Sequence, residues 1–309
     1  MPIKTVAIQS PGDMGHGIGR VLAEGGYRAV SALEGRSERT RALAKAAGIE
    51  DIGPLTALLD QADVVLSIMR PDRALGFVEE MASLAASHPG RPLVVDLNAV
   101  APATGRAAAS AAELAGLNFV DGGIIGGPPR PRSTYTPRLY VSGPRANELE
   151  VLNETSLDFR VLGDGIGAAS AIKMCYAALT KGLTAIGIHS MVTARLEGVD
   201  EALIAELAFS QKDLLRHLEQ GLPSMCPKAY RWVGEMEEIS KTHVDGGLPG
   251  EMFIGAAKVY TQVEASPLGA EVVEDRKLGT TIEEVARILA DHISGQDKAA
   301  ECGPYPPAT

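Results

Sequence analysis

The chain has 309 residues, a length that predicts two domains, and its 45% of hydrophobic residues is enough to build a core in each. The formal net charge of −10 disfavours a surface that binds nucleic acid or an anionic membrane. The composition therefore indicates a globular protein whose partners are small molecules or copies of itself.

Short apolar runs alternate with helical patterns from residue 3 to about residue 165. Strands are predicted at 3–8, 28–33, 63–68, 93–97 and 118–121, helices at 14–25, 37–47, 71–86 and 102–115, and edge strands at 138–142 and 159–163. Continuous apolar runs are typical of strands buried on both faces, and their alternation with helices predicts a mostly parallel sheet. We expect an α/β, doubly wound Rossmann domain over residues 1–165.

A long helix from about residue 167 to residue 195 follows, and helical patterns continue after it. The helix is apolar or small nearly all round, with Gly182 and Gly187 allowing close crossings. It must be buried on most sides, either by its own domain or by a second subunit. We predict an all-α domain for substrate binding and dimerisation over 166–295, a loosely ordered tail over 296–309, and a homodimer. A monomer with a central helix is the alternative.

The first predicted strand runs into a glycine-rich turn that opens a helix. Such a turn directs backbone N–H groups, and the positive end of the helix dipole, at one point that suits a pyrophosphate. Ser10 stands where the dinucleotide-binding fingerprint has its first glycine. We expect the turn to bind a nicotinamide cofactor through Ser10, Gly12, Asp13, Met14 and Gly15.

The residues after the second predicted strand favour NADP, with NAD as the alternative. Glu34 stands where an acidic side chain holds the ribose hydroxyls of NAD. Arg36 and Ser37 follow it, and these side chains can hold a 2′-phosphate through charge-assisted hydrogen bonds. The other interpretation of Arg36 and Arg39 is solvated charge at the start of a surface helix.

Two further strand ends are predicted to face the cofactor cleft, because ligands bind beyond the carboxyl ends of such strands. The first contributes Ser67, Ile68 and Met69. The second contributes Asn98, which either binds the nicotinamide amide or the substrate, or only caps the helix that begins after it.

Lys173 is the candidate catalytic residue. It lies among Ala, Ile and Met early in the long apolar helix, with Tyr176 on the same face. Partial burial disfavours the charged form of an amine, which suits a proton donor or acceptor. A lysine in a subunit interface or a salt bridge is the alternative interpretation.

These pieces occur in a distinctive order along the chain. The order is the glycine turn with Asp13-Met14-Gly15, then Gly35-Arg36-Ser37, Asp96 to Pro102, Asp121 to Gly127, and Gly165-x-Gly167 followed by Lys173. Over residues 1–200 the combination resembles the β-hydroxyacid dehydrogenases, which include 3-hydroxyisobutyrate and 6-phosphogluconate dehydrogenases. The second half resembles the helical domain of bacterial phosphogluconate-dehydrogenase-like proteins of unassigned substrate.

The resemblance implies an NAD(P)-dependent oxidoreductase. Such an enzyme moves a hydride between the nicotinamide and a hydroxyl carbon of a small hydroxy acid or sugar acid. In the family, the lysine that matches Lys173 is the general acid/base. The segment with Gly122, Gly123 and Ile124 matches the family's substrate-binding strand.

The sequence also departs from the family at the expected substrate pocket. Gly123 and Ile125 replace the family's usual Pro and Ser, and Tyr176 stands near the family's asparagines. These changes leave two alternatives open, an NADPH-dependent imine or ketone reductase and a non-catalytic NADP-binding protein. Imine reductases typically carry Asp or Tyr in place of Lys173, so the lysine favours alcohol chemistry.

Two loops are candidates to complete a pocket for an anionic substrate. Arg130 or Arg132 can bind a carboxylate or phosphate, and His243 is predicted to face the cleft from the helical domain; solvated surface positions are the alternative. Cys175, Cys226 and Cys302 form no close pair, so we predict no disulfide and no metal. No signal-peptide or membrane-spanning pattern is found, and we expect a cytoplasmic protein.

Overall fold

The computed structural model describes residues 2–133, 135–273 and 275–301, with side chains described as far as residue 295. Its contacts divide the chain into two compact units. The first contains residues up to Tyr176 together with Lys241–Leu248, and the second contains Ala177–Ser240 and the residues from Pro249 onward. The sequence predicts a division at residue 165, whereas this division lies inside the long helix.

The first unit is built on one eight-stranded sheet. Its strands are β1 (Thr5–Gln9), β2 (Arg28–Ser31), β3 (Glu50–Asp51), β4 (Val64–Ser67), β5 (Leu93–Asp96), β6 (Asn118–Ile125), β7 (Arg138–Ser142) and β8 (Asp158–Val161). They lie in the order β3-β2-β1-β4-β5-β6-β7-β8. The pairs among β1 to β6 are parallel, β7 is antiparallel to β6, and β8 is parallel to β7. The order 3-2-1-4-5-6 is that of dinucleotide-binding sheets, so the predicted fold class is confirmed.

Helices cover both faces of this sheet. They are α1 (Asp13–Glu24), α2 (Glu38–Ala46), α3 (Thr56–Gln61), α4 (Pro71–Ala85) and α5 (Pro102–Leu114). On one face Ile8 packs with Ile18 and Leu22 of α1, and on the other Ala7 packs in a cluster with Met81 of α4. Successive residues of a strand thus enter different cores, which explains why the strands are apolar without alternation.

The sequence-based prediction lacks strand β3, helix α3 and a 3-10 helix at Ala146–Glu154 in the first unit. Strand β3 has only the exposed residues Glu50 and Asp51, and helix α3 has six residues, so neither is long enough for a periodic pattern. Strand β6 is longer than predicted and continues to Ile125. Its Gly122 and Gly123 interrupt the apolar run, and pairing with β7 maintains the strand through them.

The second half of the chain is helical. Its helices are α6 (Ala168–Leu196), α7 (Asp200–Ser210), α8 (Lys212–Met225), α9 (Ala229–Asp245), α10 (Glu251–Ala265) and α11 (Ile282–Glu301). No strand occurs between residues 168 and 301 where the structure describes them. Helix α11 continues six residues into the predicted tail, whose remainder, 302–309, lies outside the described residues. None of the described helices is long and apolar enough to cross a membrane.

A polar cluster ties three helices of the second unit together. The Lys181 ammonium of α6 pairs with the Glu235 carboxylate of α9 and lies 4.5 Å from the centre of the Trp232 ring. The Tyr260 hydroxyl of α10 donates to the Lys181 carbonyl at 2.6 Å. Burial raises the pKa of the Tyr260 phenol, and the nearby Glu235 carboxylate adds to this effect.

The predicted close crossing at Gly187 is confirmed. A Cβ on this residue would lie 2.3 Å from Leu218 Cδ2, so the Leu218 side chain of α8 packs directly against the backbone of α6 at this glycine.

Candidate active site

The carboxyl ends of four parallel strands form one row across the sheet of the first unit. Gln9 of β1 is paired with Ser67 of β4, Ser67 with Asp96 of β5, and Asp96 with Asp121 of β6. Strand order reverses between β1 and β4, and ligands of such sheets bind at this switch point, beyond the carboxyl ends. The predicted residue Ser67 lies in this row, and the other predicted residues of the turns after β1, β4 and β5 and of the last part of β6 follow it.

The glycine turn after β1 fits a pyrophosphate. Gly12 is the N-cap residue of α1 without a side-chain cap, and no atom lies within 4 Å of the point where its Cβ would stand. A Cβ on Gly15 would lie 2.6 Å from the Ser10 carbonyl oxygen, so only glycine allows the helix to start so close to the turn. Met14 packs against the core. The uncapped N–H groups and the open space at Gly12 are what close approach of a phosphate requires.

Exposed charged side chains surround the turn after β2. The Arg36 guanidinium donates to the Ser10 hydroxyl, and Arg39 forms a 2.7 Å ion pair with Asp13 in the first turn of α1. The Ser37 hydroxyl caps α2 by accepting a hydrogen bond from the Thr40 N–H at 3.3 Å. Glu34 is exposed on the same turn. Arg36 therefore forms a hydrogen bond, and Arg39 an ion pair, with a residue of the glycine turn. The alternative interpretation predicts solvated charge at both positions, without these contacts.

Asn98 is buried, with 3% of its surface exposed, and bridges two strand ends. Its side-chain oxygen accepts from the Met69 N–H at 2.5 Å, and its side-chain nitrogen donates to the Ser67 hydroxyl at 2.8 Å and to the Asp96 carboxylate. The alternative interpretation, that it only caps the following helix, is wrong, since α5 has Ala101 as its N-cap residue and no side-chain cap. Both N–H donors are used here, and among the described residues the oxygen accepts one hydrogen bond, although a carboxamide oxygen has two lone pairs.

Asp121 holds the start of α6 against β6. This fully buried carboxylate accepts hydrogen bonds at 3.0 Å from the N–H groups of Gly167 and Ser170 and from the Ser142 hydroxyl, and another from the Ser170 hydroxyl. A negative charge at a helix N-terminus also interacts favourably with the helix dipole. The sequence-based search missed this residue, although an acid inside an apolar strand was a visible signal.

Lys173 lies one helical turn after Ser170 and reaches back to the same strand. Its amine donates to the Ile124 carbonyl oxygen at 2.8 Å, three residues past the row that ends at Asp121. A Cβ on Gly123 would lie 2.7 Å from Lys173 Cβ, so the strand and the helix are in contact at this glycine. The amine is thus held at the carboxyl edge, three strand spacings or ~14 Å along the sheet from β1.

The remaining predicted residues lie on α6, on the loop after β6 and on α9. Tyr176 is 48% exposed on α6, and Arg130 and Arg132 are exposed on a loop that is joined to α1 by a 3.3 Å hydrogen bond from Arg20 to the Pro129 carbonyl. His243 lies in the last turn of α9, in the part that belongs to the first unit.

Lys241 belongs to the same part of α9 and was not predicted as a site residue. Its amine donates to the Thr104 hydroxyl of α5 at 2.9 Å. Nothing in the local sequence distinguishes this lysine from other lysines of the chain. Only the tertiary structure shows that it contacts α5, the helix that follows β5.

Comparison with known proteins agrees with this geometry. Residues 6–147 match the NAD binding domain of 6-phosphogluconate dehydrogenase, and residues 194–263 match a domain of unknown function. An uncharacterised 28.5 kDa protein of Methanothermus fervidus, from the 7S RNA 5′ region, is 28% identical over 215 residues, which are 68% of this chain and 81% of that protein.

Two solved structures show the same arrangement. A conserved protein of unknown function, described as structurally similar to 3-hydroxyacid dehydrogenases, is 27% identical with a TM-score of 0.62, and the match covers 84% of this chain and 97% of that one. The 3-hydroxyisobutyrate dehydrogenase of Mycobacterium tuberculosis shares the fold at 17% identity with a TM-score of 0.67, over 93% of this chain and 99% of that one. Together with the glycine turn and the 3-2-1-4-5-6 sheet, these matches show that residues 6–147 are similar to the NAD binding domain of 6-phosphogluconate dehydrogenase and that the chain has the fold of the 3-hydroxyacid dehydrogenases.

Proposed function

We propose that the protein is an NADP-dependent oxidoreductase that acts on the hydroxyl carbon of a small hydroxy acid or sugar acid, with Lys173 as its general acid/base. The observation that carries this proposal is the position of the Lys173 amine. It is bonded to the Ile124 carbonyl at the same sheet edge as the glycine turn and Asn98.

Different groups along this carboxyl edge of the sheet bind different parts of the cofactor. The N–H groups at the start of α1 bind the pyrophosphate, and Arg36 binds the 2′-phosphate that distinguishes NADP from NAD. The Asn98 side-chain oxygen accepts a hydrogen bond from the carboxamide of the nicotinamide. When bound, the nicotinamide supplies the hydride acceptor or donor.

Lys173 moves the proton that accompanies hydride transfer. In oxidation, the amine accepts the proton of the substrate hydroxyl as the carbon–hydrogen bond breaks; in reduction, the ammonium returns it to the developing alkoxide. The hydrogen bond to the Ile124 carbonyl fixes the direction of the amine without removing its ability to exchange a proton.

An acidic substrate is favoured by the cations near this edge. Arg130 and Arg132 lie on the loop after β6, and either can bind a carboxylate. Gly123 and Ile125 offer no side-chain hydroxyl, however, so a second candidate is the reduction of an uncharged ketone or imine by the same cofactor.

The test is a substrate panel with NADPH oxidation and NADP⁺ reduction as readouts. The panel contains hydroxy acids, sugar acids, their keto forms, neutral ketones and imines. We expect turnover with an acid, and Lys173→Met should lower kcat by ~10²-fold or more while the Kd for NADPH is unchanged. Full activity of Lys173→Met would remove the lysine from the mechanism.

Two other outcomes would decide between the alternatives. Turnover of neutral substrates alone would support the reductase. Tight NADPH binding without turnover of any panel member would indicate a non-catalytic binding protein.

The homodimer stays a prediction. Leu179, Leu183 and Ile186 of α6 are 76%, 37% and 59% exposed in the single chain. This apolar face supports an interface with a second copy along the long helix.

A further inference from the structure

Ser10 is the one residue of the glycine turn that departs from the dinucleotide-binding fingerprint, and it has a specific contact. Its hydroxyl accepts a hydrogen bond from the Arg36 guanidinium, which comes from the turn after β2. Its backbone still makes the turn, because its carbonyl accepts from the Gly12 N–H at 2.8 Å. The side chain is therefore not needed for the turn itself, and glycine would leave Arg36 without this acceptor.

The three arginines near this turn differ in the charge of their partners. Arg39 is paired with the Asp13 carboxylate at 2.7 Å, and Arg41 with the Asp51 carboxylate at 3.0 Å. Arg36 donates instead to a neutral hydroxyl, which orients the guanidinium without cancelling its charge. A guanidinium has five N–H donors, of which the contact with Ser10 uses one.

We propose that Ser10 is a positioning residue for cofactor selection, which holds Arg36 beside the glycine turn so that its guanidinium binds the 2′-phosphate of NADP. This inference rests on the proposed nicotinamide cofactor and deepens it. Arg39 is committed to the carboxylate of Asp13, so Arg36 is the residue that recognises the phosphate, and Ser10 determines where it stands.

Positioning Arg36 strengthens phosphate binding because fixing a flexible cation costs side-chain conformational entropy. An exposed arginine has many rotamers, and holding it in one before the ligand arrives reduces the cost of binding. A hydroxyl suits this task because it tethers the guanidinium and leaves its charge for the ligand. A carboxylate at the same position would repel a phosphate.

The experiment measures the Kd of the full-length protein for NADPH and for NADH by titration of nicotinamide fluorescence. Ser10→Ala removes the hydroxyl and keeps the backbone restriction, whereas Ser10→Gly restores the fingerprint residue. We expect both variants to raise the Kd for NADPH about 3- to 10-fold and to leave the Kd for NADH within about twofold. Arg36→Ala should raise the Kd for NADPH by about 10-fold or more.

A double-mutant cycle separates positioning from a direct contact. If Ser10 acts through Arg36, Ser10→Ala has no further effect on NADPH binding in an Arg36→Ala background. Arg28→Ala is the matched control, because it removes an equal charge from β2, where its partner is Glu50, and should leave the ratio of the two Kd values within about twofold.

The inference is overturned if Ser10→Ala weakens NADPH and NADH equally, if it changes neither, or if its effect persists without Arg36. A wild-type protein that prefers NADH overturns it as well. Failure of the wild-type protein to bind either nucleotide would instead refute the proposed function, and is recognised before any variant is made.

Discussion

The two ends of the candidate site differ in how deeply their side chains are buried. At the end near β6, the groups that hold the start of the Lys173 helix are buried: Asp121 and its hydrogen-bond partner Ser170 have no exposed surface. At the end near β2, Arg36 and Arg39 bond to the glycine turn through exposed side chains on a surface turn. The first end is fixed by the core of the protein, and the second by contacts at its surface.

This difference matches what the proposed function requires of each end. The proposed general acid/base must stand within hydrogen-bond reach of the reacting group, and the start of its helix is held by hydrogen bonds from Gly167 and Ser170 to the buried Asp121 carboxylate. Recognition of a phosphate needs a positive charge near the phosphate, and a surface arginine held by one hydrogen bond provides it. Substitutions at the buried end should therefore affect stability and turnover, and those at the exposed end only nucleotide binding.

The largest effect on stability is expected at Asp121. Asp121→Asn removes the charge and replaces one acceptor oxygen with a donor, so at least one buried N–H or hydroxyl loses its partner. Urea denaturation should show a loss of about 3 kcal/mol in the free energy of unfolding. Asp60→Asn, at an exposed position, is the control and should stay within about 0.5 kcal/mol. Equal stability of the two variants would show that Asp121 does not anchor α6.

A smaller effect is expected at Gly123, where strand and helix touch. The Cβ of Gly123→Ala would meet Lys173 Cβ at 2.7 Å and the Ala169 carbonyl at 3.2 Å, which pushes α6 away from β6. We expect a loss of about 1–3 kcal/mol in the free energy of unfolding and a lower kcat. Gly127→Ala is the matched control, since no atom lies within 4 Å of its Cβ. A fully active and stable Gly123→Ala would contradict the close contact at this glycine.

The smallest effect on stability is expected at the exposed end. Arg36→Ala removes a surface hydrogen bond, and the free energy of unfolding should change by no more than about 0.5 kcal/mol. The same urea experiment measures it beside Asp121→Asn. A loss as large as that of Asp121→Asn would abolish the distinction between a buried and an exposed end.

Much of the fold follows from local sequence. The apolar runs that became β1, β2, β4 and β5 and the helices between them were predicted within a few residues, because strands buried on both faces must be continuously apolar. Strand β3 and helix α3 were not predicted, since elements of two and six residues contain no complete period.

The sequence by itself determined the doubly wound domain, the glycine turn and the position of Lys173 on a long apolar helix, because each of these depends on residues that are close in the chain. Only the tertiary structure decided which partners they have. Ser10 meets Arg36, Asp121 meets Gly167 and Ser170, and Lys241 meets Thr104, at separations of 26 to 137 residues. Such contacts are set by the order of the strands and the packing of helices on them, and no local pattern encodes that order.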